Sequence, residues 1–233
     1  MDLILAFDIG TSSLRTSFFT TNGDRLTETT AQETYPLHIT ADGGAELEPT
    51  LLREAALRCL RASFQTLRSD AKLAGARVVG IGTSCFWHSL VGVGSGNNAL
   101  TPVITWADSR CQGDAARLRE ELDEKTVHRR TGCMLRASFW PAKLRWLRRT
   151  RPALFRKVRL WLSPAEWLQR EFCGEAACAY GMATGTGLFN PTRLKWDPEL
   201  LERCGIRAEQ LGSVEDTPST LLLKWTQEFP ELA

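Results

Sequence analysis

Three short stretches carry side chains whose types and spacing can do chemistry. FDIGTSSLRTS (residues 7–17) sets the Asp8 carboxylate at the end of an apolar run, then Gly10, Thr11, Ser12 and Ser13 in a turn, then Arg15. A tight strand-turn-strand of this kind presents successive backbone N–H groups and hydroxyls to an anion, and its carboxylate can take Mg²⁺ directly or through water. Arg15 can reach back to a phosphate oxygen with a charge-assisted, bidentate bond. The same residues also suit an ordinary hairpin, with Arg15 as a solvated strand arginine.

GIGTSCFWHSL (80–90) is an apolar run that opens into small and hydroxyl residues before Trp87, His88 and Ser89. An aromatic plane beside an imidazole and a hydroxyl suits a polyol, whose C–H face stacks while its hydroxyls need donors and acceptors. A structural histidine fits these residues equally well. TPVITWADSR (101–110) repeats the pattern with Trp106, Asp108 and Arg110. Asp108 can accept two sugar hydroxyls, and Arg110 can pair either with a substrate carboxylate or with Asp108 itself.

These side chains need elements to position them. LILAFDIG, LRTSFFTT and RLTETTAQ, separated by TSS and NGD, read as three consecutive antiparallel strands. Residues 35–49 lack periodicity and read as a loop, with Thr50 as helix N-cap. From Leu51 to Leu67 the residues Leu52, Ala55, Ala56, Leu60, Phe64 and Leu67 form one apolar stripe of a helix. RVVGIGTS is the fourth strand, FWHSLVGVG and the turn GSGNN follow, and LTPVITW is strand-like. Strand, helix, strand in this order predicts an α/β layer fold.

Beyond Asp108 the spacing predicts amphipathic helices at 112–123, 141–149 and 164–171, with Pro141, Pro152 and Pro164 at helix starts. In the basic run LRWLRRTRP, Leu144, Trp146 and Leu147 can face a core while the arginines snorkel. AYGMATGTGLFN reads as a close-packed strand or turn, and a short helix starts at Asp197. The last stretch is helix-like without a cap, so the chain looks cut there.

With 29 basic and 27 acidic residues the excess of positive charge is too small to argue a nucleic-acid surface. No stretch approaches the roughly 18–20 apolar residues of a membrane span, and the N-terminus lacks a basic leader, so a cytoplasmic location is expected. Seven cysteines, without a CxxC pair, read as reduced thiols.

Taken together and in this order, these segments resemble the FGGY carbohydrate kinases, with the D-x-G-T-[ST] phosphate loop at the extreme N-terminus. GIGTSCFWHS is similar to that family's G-I-x-x-[SQ]-x-x-M-H-[GS], and PVITWADSR to its P-x-I-x-W-x-D-x-R. RTGCMLRASFWPAKLRWL and YGMATGTGLFNPTRLKWD are similar to two further family segments, so the resemblance covers essentially the whole chain. The combination looks most like gluconokinases. Trp87 stands where the family usually has Met, Phe139 and Trp140 are bulky near the lysine segment, and ACAYGMAT lacks the polar residues usual before A-S. These departures bear on which sugar is taken.

The resemblance implies an actin-like, ribonuclease-H-like α/β domain with a mixed sheet flanked by helices, spanning residues 1–233 as the sugar-facing half of a kinase. It implies ATP and Mg as cofactors and phosphoryl transfer to gluconate, with xylulose or another ketose or polyol as the alternative. Asp8 would position Mg and phosphate; Gly10, Thr11, Ser12, Ser13 and Arg15 would hold phosphates; Trp87, His88, Ser89, Trp106, Asp108 and Arg110 would bind the sugar. The adenosine pocket and the general-base aspartate of a G-D-N or G-D-G motif would come from a C-terminal kinase domain. Neither motif occurs in these residues. A non-catalytic binding module on the same fold is the reading of another class, and an actin-like or Hsp70-like ATPase gives no reason for the W-H-S and W-A-D-S-R pair. Partners are thus a small sugar or sugar acid and the missing domain, with a homodimer allowed and neither nucleic acid nor membrane expected.

Overall fold

The computed structural model describes residues 1–232. Strands β1 (Asp2–Ile9), β2 (Ser13–Thr20) and β3 (Arg25–Thr34) form the expected antiparallel meander. The loop that follows is not featureless: it holds two short paired strands, β4 (His38–Ile39) and β5 (Ala45–Leu47). Helix α1 (Pro49–Ser69) begins earlier than the spacing predicts, with Glu48 and not Thr50 at the N-cap and Pro49 in the first turn, where its missing N–H costs nothing. Strand β6 (Arg77–Cys85) then pairs parallel to β1, completing a mixed sheet in the order β3-β2-β1-β6.

Alternation along β1 buries Leu3, Leu5, Phe7 and Ile9 on one face and leaves Asp2, Ile4 and Asp8 on the other. The buried face packs against the apolar stripe of α1, where Phe18 and Phe64 meet edge to face at 5.1 Å. Strands β7 (Val91–Val93) and β8 (Val103–Ile104) are short, and β8 pairs with β5, so only the centre of LTPVITW is strand.

A second cluster is built largely by α2 (Gln112–Glu121), α3 (Glu124–Thr131), α4 (Trp140–Thr150), α5 (Pro152–Lys157) and α8 (Pro198–Cys204), joined by Trp161 of β9 (Leu160–Leu162). Helix α6 (Pro164–Cys173) sends Trp167 and Leu168 into the first cluster, and α7 (Tyr180–Thr186) sends Ala183 into a small third one. The first predicted helix thus ends at Glu121, and Asp123 caps a separate one. In the basic run Leu144, Trp146 and Leu147 are buried, while Arg145 pairs with Glu121 and Arg149 with Asp114. Residues 180–186 are a helix and not a strand or turn. The small residues there let the helix press close to its neighbours. The terminal helix α9 (Leu223–Glu228) packs Trp225 against Phe172 at 5.1 Å. All cysteines are free thiols, as the odd, scattered count predicts.

Candidate functional site

Parallel pairing of β1 and β6 sends both strands to the same edge of the sheet, where Asp8 lies opposite Ser84. The turn after β1 and the Trp87-His88 segment after β6 therefore emerge side by side, in the position where open α/β sheets gather ligands. The Phe86 amide extends this pairing by donating to the Ile9 carbonyl at 3.0 Å.

The turn itself is tightly braced. The Gly10 amide donates to the Ser13 carbonyl at 2.8 Å, and a Cβ on Gly10 would lie 2.9 Å from that oxygen. Tyr35 holds the turn from behind: its amide donates to the Ser12 carbonyl and its hydroxyl to the Gly10 carbonyl. Burial pushes the Tyr35 hydroxyl well above its ordinary pKa. Nothing in the polar segment around Tyr35 marks this role in the sequence. The amides of Thr11 and Ser12 have no protein acceptor among the described residues, which suits an anion. Asp8 and Arg15 face each other across β1 and β2 at 3.6 Å, both well exposed.

No group of three His, Cys, Asp or Glu side chains that could hold a metal occurs among the described residues. Asp8 alone fits Mg²⁺ only as that ion usually binds, through one carboxylate together with nucleotide phosphates and water. The braced turn, Asp8 and Arg15 thus fit the phosphate end of a magnesium nucleotide.

On the β6 side, Trp87 and Trp106 are about half exposed, at 51% and 49%. The indole Nε1 of Trp106 donates to the Thr11 hydroxyl at 3.1 Å, tying this aromatic wall to the turn after β1. His88 is a non-glycine residue with left-handed backbone, φ 63°. Its Nδ1 meets the Gly185 carbonyl, its ring packs on Phe139 at 4.4 Å between centroids, and Trp87 lies 5.7 Å away. Because a carbonyl only accepts, Nδ1 carries the proton, and neutral His88 then offers Nε2 as an acceptor. Burial, reinforced by the nearby Lys143 charge, lowers the His88 pKa below its ordinary value despite the opposing Gly185 bond.

Three of the expected sugar contacts are taken up by the protein. Ser89 is buried, its hydroxyl donating to the Trp87 carbonyl and accepting from the Trp106 amide. It joins the two tryptophan segments. Asp108 is 1% exposed, and its carboxylate accepts from the Ala45 amide and from the Arg110 amide, Nε and Nη2. Arg110 also reaches Glu46 and stacks on Trp146 at 4.4 Å. A carboxylate with this many donors and no exposed surface has nothing left for a sugar hydroxyl, and the guanidinium is equally committed. Of the two pairings open to Arg110, the one with Asp108 is observed, and the two sugar hydroxyls Asp108 was expected to accept find no free oxygen there. The Gly43-Gly44 turn permits this closure, since a Cβ on Gly44 would lie 3.0 Å from the Arg110 guanidinium carbon.

Two further contributors, besides Tyr35, are not marked in the sequence. Gly185 supplies the carbonyl for His88 and leaves room for Trp87, whose ring lies 3.2 Å from where a Cβ would stand. Lys143 is fully buried and donates to the carbonyls of His88 and Ser138; burial pushes its pKa down to about 8. A separate groove of 1110 Å³ runs along β6 past Val79, Ile81 and Ser84 to Trp87, but His88 and Trp106 do not line it. The site is an open corner beside that groove.

The profile of the FGGY family of carbohydrate kinases, N-terminal domain, matches residues 3–221. The chain belongs to that family. Among curated relatives, the gluconokinase of Bacillus subtilis (strain 168) is 29% identical over 214 residues, covering 92% of this chain and 40% of its own length. The crystal structure of gluconate kinase from Lactobacillus acidophilus superposes with a TM-score of 0.87 at 26% identity, covering 98% of this chain and 45% of that one. The ligand-bound xylulose kinase from the same organism gives 0.88 at 26%, covering 99% and 46%. The FGGY chain described here thus has the actin-like α/β fold of these kinases and spans about two fifths of the length of the curated relatives it matches. No helix among the described residues is long and apolar enough to cross a membrane.

Proposed function

We propose that this chain is the sugar-facing half of an ATP-dependent carbohydrate kinase that phosphorylates a hydroxyl of a sugar or sugar acid. The observation that carries the reading is the Trp106–Thr11 hydrogen bond, which joins an aromatic, imidazole-bearing corner to a braced anion turn. Phosphoryl transfer needs those two parts side by side, because the protein's task is to position the acceptor and neutralise charge.

In this reading Asp8 and Arg15 orient the transferring phosphate, with turn groups from Gly10 to Ser13 around it. Mg²⁺ held with Asp8 and the nucleotide would offset developing negative charge on the phosphoryl oxygens. The exposed rings of Trp87 and Trp106 stack the C–H face of the sugar, and His88 Nε2 accepts one hydroxyl. Ser89, Asp108 and Arg110 act behind these residues by fixing the Trp106 segment. The general base and adenosine pocket are assigned to the part of the family length that this chain does not span.

Gluconate ranks first as acceptor on the gluconokinase-like motifs and on the relatives' names; xylulose is the alternative. Arg110, locked to Asp108 and Glu46, no longer supports a carboxylate-bearing substrate. Calorimetric titration of the chain with gluconate and xylulose, alongside a coupled ADP-release assay, tests the proposal. Saturable binding of one of them without turnover is expected. Binding of neither, or sugar-dependent turnover near 1 s⁻¹ by the chain alone, a rate at the low end of ordinary enzymes, refutes it.

A further inference from the structure

Lys143 is a fully buried lysine for which the phosphoryl-transfer reading has no use. It sits in the first turns of α4, and its ammonium donates to two carbonyls from separate segments: His88 at 2.8 Å, and Ser138, which lies just before the helix. His88 is the residue of the pair Trp87-His88 whose backbone is left-handed, a conformation that a β-carbon-bearing residue keeps only where its surroundings impose it. Lys143 grips the carbonyl of that same residue. On its other side His88 is held through its ring, by the Gly185 carbonyl and by Phe139 at 4.4 Å, and Phe139 immediately follows Ser138. One ammonium thus fixes both the backbone of the histidine and the segment whose aromatic ring backs it.

A buried ammonium is expensive, and an apolar residue of similar volume is often no less stable. Its retention here calls for something that packing does not supply. The cation supplies two strong donors at a fixed point, directed at a strained peptide.

We propose that Lys143 is a positioning residue for the acceptor site: by holding the His88 and Ser138 carbonyls together it keeps His88 left-handed, with its ring seated between Gly185 and Phe139. The inference rests on the sugar-site reading for its functional consequence, but its structural content can be measured without any sugar.

The test compares the wild-type chain with Lys143→Met, which keeps length and loses the donors. Three readouts are taken: the backbone ¹³C shifts of His88, the ring ¹⁵N shifts that report its tautomer, and gluconate affinity. Lys143→Met is expected to melt cooperatively, to lose the left-handed shift signature at His88, to lose the single Nδ1–H tautomer, and to bind gluconate at least tenfold more weakly. A folded Lys143→Met with wild-type His88 shifts overturns the proposal. If the wild-type chain binds no gluconate, the acceptor assignment fails while the His88 shifts still decide the clamp. If Lys143→Met does not fold, the wild-type Lys143 ammonium decides instead: a solvent-protected ¹H–¹⁵N signal with left-handed His88 shifts supports the clamp. Fast exchange with solvent, or His88 shifts outside the left-handed range, refutes it.

Discussion

Replacing Asp108 by Asn separates a buttress from a sugar ligand, because the two roles predict opposite readouts. The substitution keeps the side chain's size and removes its charge. In the native chain Asp108 Oδ2 accepts from the Ala45 amide at 3.1 Å and from Arg110 Nη2 at 2.6 Å, and Oδ1 accepts from the Arg110 amide at 3.1 Å. An Asn places an NH₂ on one of these two sides, so a donor faces a donor whichever way the amide turns. Removing one partner of a buried ion pair typically costs about 3–5 kcal/mol. Glu46 stays on Arg110 Nη2 and compensates part of the stranded charge, so the low end, about 3 kcal/mol, is expected. For 233 residues, an unfolding entropy of roughly 2.1 cal/mol/K per residue gives about 0.5 kcal/mol/K, and the melting temperature should drop by roughly 6 °C. Scanning calorimetry and urea unfolding of wild type and Asp108→Asn measure this directly, with gluconate affinity followed in parallel. A melting temperature within about 1 °C of wild type, together with lost sugar binding, would refute the buttress and restore Asp108 as a direct ligand.

Two further outcomes follow from the same geometry. Burial raises the thiols of Cys59, Cys111 and Cys133 to about 11 and those of Cys85 and Cys204 to about 12, against 9.0 for the unaffected group; the unfolded chain therefore loses these protons first, and stability present below pH 9 is lost as pH rises toward 11 and 12. Lys143, whose folded pKa near 8 makes it gain stability between pH 8 and its ordinary 10.5, opposes this with a single group; urea midpoints that do not fall between pH 9 and 10.5 contradict this burial. Asp8→Asn removes one end of an exposed pair with Arg15, which is worth at most about 1 kcal/mol, so its melting temperature should stay within about 2 °C of wild type while magnesium-dependent binding of ATP phosphates weakens at least tenfold; unchanged nucleotide binding in a folded variant removes Asp8 from the phosphate site.

The sequence alone determined what depends on neighbours along the chain. The meander of β1 to β3, the apolar stripe of α1, β6 and the proline-started helices are local patterns of period 2 or 3.6, and each is legible in a window of about a dozen residues. The turn chemistry of Gly10 to Ser13 and the three motifs are equally local, and they were enough to point to the family. Residues 180–186 read as strand or turn because Gly181 and Gly185 disfavour a helix locally; the helix is observed with Gly185 packed close to Trp87. The division of labour within the site was beyond any local reading. Trp106, Asp108 and Arg110 stand within five residues of each other, yet the first is half exposed and the other two are closed in by Ala45, Glu46 and Trp146. Tyr35, Lys143 and Gly185 act on residues 25, 55 and 97 positions away. Whether a polar side chain serves a ligand or the fold depends on which donors burial brings to it, and those donors come from strands and helices that only the tertiary structure places together.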